Sequence, residues 1–255
     1  MSTDEHRSPS DRPIIAFFDV DNTLLRGASV YHVARGAYQR GLITVRDIVT
    51  FAWHQLSFLT VGENKQHLSH VRDRGLELAG GHSVDDIVDL ASDIYERDIV
   101  PRLWPETVEL AREHLRKGHE VWLITATPQL IAQVIADRLG LTGALGTIVE
   151  SVDGVFTGRL VGKVLHGESK AIAAKEFADE KQALLADCWA YSDSSNDIPL
   201  LELVGNRIVV NPDASLSRHA KANQWPALNL NPSSIREAQR RVRREAREVR
   251  KKRQA

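Results

Sequence analysis

Cysteine is almost missing from this chain of 255 residues, which has one, Cys188, alongside a single methionine. A lone cysteine excludes an internal disulfide framework and fits a reducing compartment. Its setting, "DCWAYSD", reads as a buried strand. No apolar run approaches the roughly 18 residues of a membrane span. The nearest, "IVTFAWHQLSFLTV", is too short and carries His54 and Gln55. The opening "MSTDEHRSPSDRP" has no apolar core of the kind a secretory signal needs. Together these absences predict no transmembrane segment and a cytoplasmic protein. Histidines at metal-ligand spacing are also missing; "HLSH" at 67–70 reads as one face of a helix. The five tryptophans, with the aromatic of "RLWPE", read as core and hinge packing.

What is present is ordinary for a soluble globular chain: 42% hydrophobic and 26% charged residues. The length suits one large domain, or a core with a smaller insertion. Net charge is −1, unevenly spread. Residues 236–255 hold ten Lys/Arg and three Glu, a local balance of +7, which leaves the other 235 residues near −8.

Residues 13–26 begin with a buried strand at Ile14–Phe18. From 27 to 104 the pattern is helical, with segments at Ser29–Gln39, Thr44–Leu59, Asn64–Ala79 and Ser83–Val100. Ser29, Thr44 and Ser83 are candidate N-caps, and Gly80-Gly81 is a stop. After "LWPETVEL" strands and helices alternate: helix 105–116, strand "EVWLITA", helix 128–138, and a hairpin turning at Asp153-Gly154. Helix 169–178, strand "CWAYSD", helix 196–203, strand "RIVVN" and helix 213–222 follow. Such alternation predicts an α/β fold, a doubly wound and mainly parallel sheet with helices on both faces. The expected core is 13–26 with 105–231, the helical cap is 27–104, and 1–12 is a flexible start.

In parallel sheets of this kind ligands bind at the carboxyl ends of the strands. The polar residues placed there are Asp19 and Asp21 in "FFDVDNT", Thr125 and Thr127 in "LITATP", and Asp193, Asn196 and Asp197 in "YSDSSND". Lys170 opens a helix in "HGESKA". Each has an innocuous reading as a turn, cap or solvated residue. Those readings do not explain why four acids, a lysine and a hydroxyl converge on one sheet edge.

"FFDVDNTLL", "LITATP", Lys170 and "YSDSSNDIPLL" resemble, in order and spacing, the four motifs of the haloacid dehalogenase superfamily. The helical insert after the first motif is similar to its phosphoserine-phosphatase-like subfamily, and the resemblance spans 13 to about 212. It implies a Mg²⁺-dependent phosphatase acting on a small-molecule phosphate monoester. Asp19 would be the nucleophile that takes up the phosphoryl group, and Asp21 the general acid and base. Mg²⁺ would sit on Asp19, Asp193 and the Asp21 backbone carbonyl, with Asp197 behind it or as a further ligand. Thr125 and Lys170, helped by Thr127 and Asn196, would hold phosphoryl oxygens.

One departure weakens the implied substrate, phosphoserine. The subfamily carries a glutamate nine residues after the nucleophile to hold a substrate ammonium group; here that position is Ala28. Arg74, with Arg72 nearby, is the cap candidate for gripping a substrate carboxylate. Dehalogenation is disfavoured because it needs no acid at Asp21. Phosphonate cleavage would need a Schiff-base lysine, and the only cap lysine is Lys65, in a polar helix start.

The end, "SSIREAQRRVRREAREVRKKRQA" from Ser233, predicts a basic helix within 232–255, capped by Ser233 or Ser234, with a narrow stripe of Ile235, Ala238, Val242, Ala246 and Val249. Glu237 and Arg241 would pair across one turn. The plain reading of such a tail is a solvated helix extending from the core; the sharper one is attraction to anionic lipid or nucleic acid. The competing function is therefore a regulatory or binding protein on a hydrolase-like fold, acting through the tail. Intact motifs favour the enzyme.

Overall fold

A computed structural model describes residues 12–42 and 80–254. The candidate helices Thr44–Leu59 and Asn64–Ala79, with Lys65, His67, His70, Arg72 and Arg74, lie outside the described residues.

The centre of the fold is β1 (Ile15–Phe18), four consecutive residues with no exposed surface. Side chains alternate along a strand, so Ala16 and Phe18 enter one hydrophobic cluster while Ile15 and Phe17 enter another. Burial on both faces is what a central parallel strand requires. On one side β1 pairs with β2 (Glu120–Pro128), which pairs with β3 (Gly143–Thr147). On the other it pairs with β6 (Trp189–Ser192), then β7 (Asn206–Val210) and the short β8 (Ala227–Leu228). The order β3-β2-β1-β6-β7-β8 is parallel throughout. The chain runs outward in one direction up to β3 and in the other from β6, so the switch point lies between β1 and β6, where a ligand crevice forms.

Helices cover both faces: α3 (Pro105–Arg116) and α4 (Gln129–Leu139) on the Phe18 side, α5 (Glu168–Glu180), α6 (Ile198–Leu203) and α7 (Ala214–Ala222) on the Phe17 side. The α/β expectation holds, and the helix bounds agree within two residues. Two strands escaped the pattern. "GALGT" has no β-branched run, and β8 is only two residues long. The hairpin forms as β4 (Val149–Val152) and β5 (Val155–Leu160), with Asp153 and Gly154 both at positive φ, as a type I′ turn requires.

In the insert, α1 (Ser29–Gln39) and α2 (Val84–Ile94) are described. Ser83 caps α2 by accepting the amide of Asp86. Ser29 is not a cap: α1 starts on Ala28, which has no side-chain acceptor, and Ser29 is its first helical residue. The single helix expected to reach Val100 is also corrected. After Ile94 it widens into a π turn, Tyr95–Ile99, and tightens into a 3-10 turn, Val100–Arg102. Pro101 has no amide to continue the ladder. The irregular turns bury Asp98, which accepts from Arg97 Nε at 2.9 Å and lies 3.6 Å from Arg35. The segment 81–84 pairs with the hairpin through bonds from Gly81 to Phe156, Phe156 to His82 and Val84 to Gly154.

The basic tail is α8 (Pro232–Gln254). Its cap is Asn231 rather than Ser233 or Ser234: Asn231 Oδ1 accepts the Ser233 amide at 2.9 Å, and Pro232 takes the first helical position. Ile235 is buried, and Gln239 donates to the Pro101 carbonyl at 2.8 Å, which fastens the helix beside the segment returning from the insert. Arg241 faces Glu245 at 4.0 Å and not Glu237.

Behind the sheet, His114 makes ring-nitrogen contacts of 2.8 Å with both His119 and Tyr191. Burial first, then the neighbouring His119 and Lys117, push it down to about 4, so it is neutral at physiological pH. This is a core contact; Tyr191 stacks on Phe18 at 4.0 Å.

Candidate active site

Asp19 follows β1 directly, and its amide still donates to the Tyr191 carbonyl of β6. The extended conformation ends there. The amides of Leu24 and Leu25 both donate to the Val20 carbonyl, and Asn22 turns left-handed at φ 54°. Asn22 Oδ1 accepts the Gly27 amide at 3.0 Å, closing the loop. The two aspartates therefore separate in environment. Asp19 is 6% exposed and sits over the switch point. Asp21 is half-buried, and its Oδ1 accepts the Ser29 amide at 2.8 Å.

Lys170 is 4% exposed and donates to Asp19 Oδ1 and Asp197 Oδ2, each at 2.7 Å. Its place in the first turn of α5 depends on Gly167, which precedes the helix at φ 57°, ψ −127°, and whose carbonyl receives the Lys170 amide. Asp197 is 1% exposed and also accepts from Ser192 Oγ at 2.7 Å. That carboxylate is spent on orienting the lysine. Burial would lower the Lys170 ammonium, but Asp19 and Asp197 outweigh it and hold it above the usual lysine range. The reverse does not follow for Asp19. Burial pushes it up to about 6 despite the pull of Lys170, with Asp197 and Asp21 adding to the rise. One ammonium shared with a second carboxylate does not offset the desolvation of Asp19.

Asp193 stands at the tip of β6, across from Asp19. The Thr23 hydroxyl, fully buried, lies 3.4 Å from Asp19 Oδ2 and 3.4 Å from Asp193 Oδ1, and its one proton cannot serve both. Burial, then the charge of Asp19, push Asp193 up to about 7. Asp213 fixes the Asp193–Asp197 loop: its amide donates to the Asp193 carbonyl, and its side chain accepts the amides of Ser195, Ser215 and Leu216 at 2.7–2.8 Å. Burial favours its neutral form, yet these donors hold its carboxyl below the usual range.

Thr125 and Thr127, at the end of β2, are both buried. The Thr127 amide donates to Thr125 Oγ1 at 3.2 Å, their hydroxyls are 3.2 Å apart, and Thr127 Oγ1 meets Ser29 Oγ at 2.7 Å. Gly146 allows the close fit: a Cβ there would stand 2.7 Å from the Thr127 carbonyl. Asn196 is exposed, and its amide group donates to Ser194 Oγ at 3.2 Å. The structure thus brings together Asp19, Asp21, Thr125, Thr127, Lys170, Asp193 and Asp197, and puts Asn196 on the rim. Sequence reasoning had no role for Thr23 or Ser192 and took Ser29 for a cap. Each is a small hydroxyl residue, buried beside a carboxylate or threonine it contacts. The one sequence signal was for Ser192, which closes the buried run "CWAYS".

Asp19, Asp193 and Asp197 set three carboxylates against one lysine, with oxygen donors throughout. That set fits a hard cation such as Mg²⁺, which takes one or two carboxylates and completes its shell with phosphate and water. Among the described residues no three histidine, cysteine or acidic side chains form a ready-made metal cage, so Asp19 and Asp193 are the pair available for that role.

The family model for haloacid dehalogenase-like hydrolases matches residues 16–202. The protein called phosphoserine phosphatase SerB1 in Mycobacterium tuberculosis is 47% identical over 222 residues, covering 87% of this chain and 72% of that one. A histidinol-phosphatase of Neisseria meningitidis is 28% identical, covering 85% of this chain and 98% of its own. A Bordetella pertussis crystal structure described as of unknown function is similar in fold, with TM-score 0.75 and 28% identity over 85% of this chain and 98% of that one. This chain belongs to the haloacid dehalogenase-like hydrolases, among their phosphoserine-phosphatase-like members, and is a phosphomonoesterase.

Proposed function

We propose that the chain hydrolyses a small-molecule phosphate monoester with Mg²⁺ through a phosphoryl group carried on Asp19. The observation that carries this reading is the buried Lys170 bridging Asp19 and Asp197 at 2.7 Å on each side, at the tip of the central strand. Asp19 attacks phosphorus, the bond to the ester oxygen breaks, and Asp21 protonates the departing alkoxide. Asp21 then takes a proton from water, which attacks phosphorus and returns Asp19 and free phosphate. With Asp21 Oδ1 held by the Ser29 amide, Oδ2 is the oxygen that carries the proton. Lys170 and Thr125 donate to equatorial phosphoryl oxygens. Asp19, Asp193 and the Asp21 carbonyl would hold Mg²⁺, which when bound neutralises charge on phosphate and carboxylates. Asp197 acts through Lys170 rather than as a ligand. The working compartment we assign is the cytoplasm, in keeping with one buried reduced thiol.

A panel of phosphomonoesters tests the reaction class; no turnover of any member would sink it. Chelation should stop turnover and Mg²⁺ restore it, with Ca²⁺ a poor substitute because its longer, more numerous bonds disturb the attack geometry. Both Asp19 and Asp193 lie above the ordinary 3.8. These two groups therefore hold more protons in the folded metal-free protein than in the unfolded chain between about pH 4 and 7, and their contribution to stability falls as pH rises through that window. Mg²⁺ competes with those protons. Its stabilisation, read as a shift in Tm, should be larger at about pH 7.5 than at about pH 5.5. An equal shift at both would contradict the assigned ligands.

Phosphoserine is a candidate substrate, supported by the relative in M. tuberculosis. Ala28 stands exposed at the start of α1 and offers no side-chain acceptor for an ammonium group. Phosphoserine should therefore not be preferred strongly over other small esters, and Ala28→Glu should raise its kcat/KM relative to a neutral ester. Strong wild-type selectivity for phosphoserine would show that another residue does this work.

For α8 we propose a weak electrostatic contact with phosphate-bearing surfaces, lipid headgroups or nucleic acid. Arg236, Arg240, Arg243, Arg244 and Arg247 recur at helical spacing and are all exposed, on the face opposite the buried Ile235. Deleting residues 236–255 should leave kcat within about twofold, since no site residue lies there, and abolish low-salt retention on anionic vesicles or DNA. Equal retention of full-length and truncated protein on both would reduce the tail to a solvated helix.

A further inference from the structure

We propose that Ser29 is a positioning residue for Asp21, its hydroxyl clamping the amide that holds one oxygen of the proton-transferring carboxylate. The inference rests on Asp21 being the general acid. Helix α1 begins without a side-chain cap at Ala28; the Tyr31 amide turns back to the Ala28 carbonyl, but the Ser29 amide has no acceptor within its own helix. The Ser29 amide finds one in Asp21 Oδ1, at 2.8 Å. The same residue's Oγ lies 2.7 Å from Thr127 Oγ1, and both side chains are buried. Among the described residues this is the side-chain hydrogen bond that joins the first turn of α1 to β2. Thr127 is in turn fixed by its amide to Thr125 Oγ1. The clamp therefore links the strand tip that faces phosphate to the amide that orients Asp21. Without the Ser29 hydroxyl, the Thr127 hydroxyl loses a buried partner, and the amide is placed only by an uncapped helix end.

Misplacing a general acid has a signature that general loss of packing lacks. An alkoxide leaves poorly without a proton, whereas a nitrophenolate leaves readily without one. Ser29→Ala should lower kcat/KM for glycerol 2-phosphate by about 10-fold, a fraction of the 10²–10⁴ that general acid catalysis supplies, and change p-nitrophenyl phosphate by less than about twofold. Ser29→Thr keeps a hydroxyl and should restore most of the loss. Ser29→Cys, which keeps the side-chain shape but offers only a weak hydrogen bond, should repeat the leaving-group pattern and serves if Ser29→Ala fails to fold. Equal losses on both esters, or no loss on either, would overturn the proposal. Asp21→Asn is the reference and should discriminate more strongly. If it does not discriminate, the general-acid assignment falls and this proposal with it, while Mg²⁺-dependent turnover itself would still stand.

Discussion

Asp19→Asn should reduce turnover by on the order of 10⁴-fold or more, the scale on which removing a nucleophile acts, with the fold intact. The amide cannot form the phosphoryl ester, and the other carboxylate on Lys170, that of Asp197, has the bonded oxygen also held by Ser192 Oγ. Stability should not fall with activity. Burial already pushes Asp19 up to about 6, so the charged form is an expense to the folded state. Its replacement by a neutral isostere relieves repulsion with Asp197 and Asp21, and Lys170 retains Asp197 as a partner. Phosphatase assays with thermal melts would check both halves. Retained activity with an unchanged melt would remove Asp19 from the mechanism.

Lys170→Ala should damage both activity and stability. Three carboxylates face this ammonium or one another around the strand tips, and it is the cation that bonds to two of them at 2.7 Å. Removing one partner of a buried ion pair costs about 3–5 kcal/mol because the charge left behind is uncompensated. The loss should be greater at about pH 8 than at about pH 5.5, because protonation of Asp19, whose value is already near 6, lifts part of the repulsion at the lower pH. Turnover should fall by about 10²–10³ from the missing phosphoryl donor alone. Urea melts at the two pH values measure the first effect. A variant as stable as the parent at pH 8 would show that the bridge is not an organising contact.

Much of this was legible in the sequence because the information was local. Continuous apolar runs in "IIAFF" and "CWAYS" mark strands buried on both faces, and polar residues just beyond them fall on one edge once the sheet is parallel. The reading failed where tertiary contacts decide. Ser29 reads as a cap because serine usually caps; here the aspartate of a different motif accepts the amide, and the serine hydroxyl turns to β2. The break at Tyr95–Arg102 comes from Pro101 and from burying Asp98 against arginines, which no helical periodicity reveals. Thr23 belongs to the first motif, but its contact with Asp193 spans 170 positions of sequence. The strand "GALGT" was missed because its glycines serve close approach, to Trp122 at Gly143 and to the Thr127 carbonyl at Gly146, and not β propensity.

The central claim is that phosphate passes through Asp19, and it can be read directly. Asp21→Asn protein, in which the water-attack step is slowed, is mixed with Mg²⁺ and p-nitrophenyl phosphate, whose leaving group needs no proton, quenched in acid within a turnover, and digested for mass spectrometry. The account predicts one added phosphoryl group on the peptide containing "FFDV" and the substituted position 21, located on Asp19 and absent when Asp19 is also replaced by Asn. Substrate turnover by wild-type protein with no phosphorylated peptide in either form, or a phosphoryl group on any other residue, would contradict it.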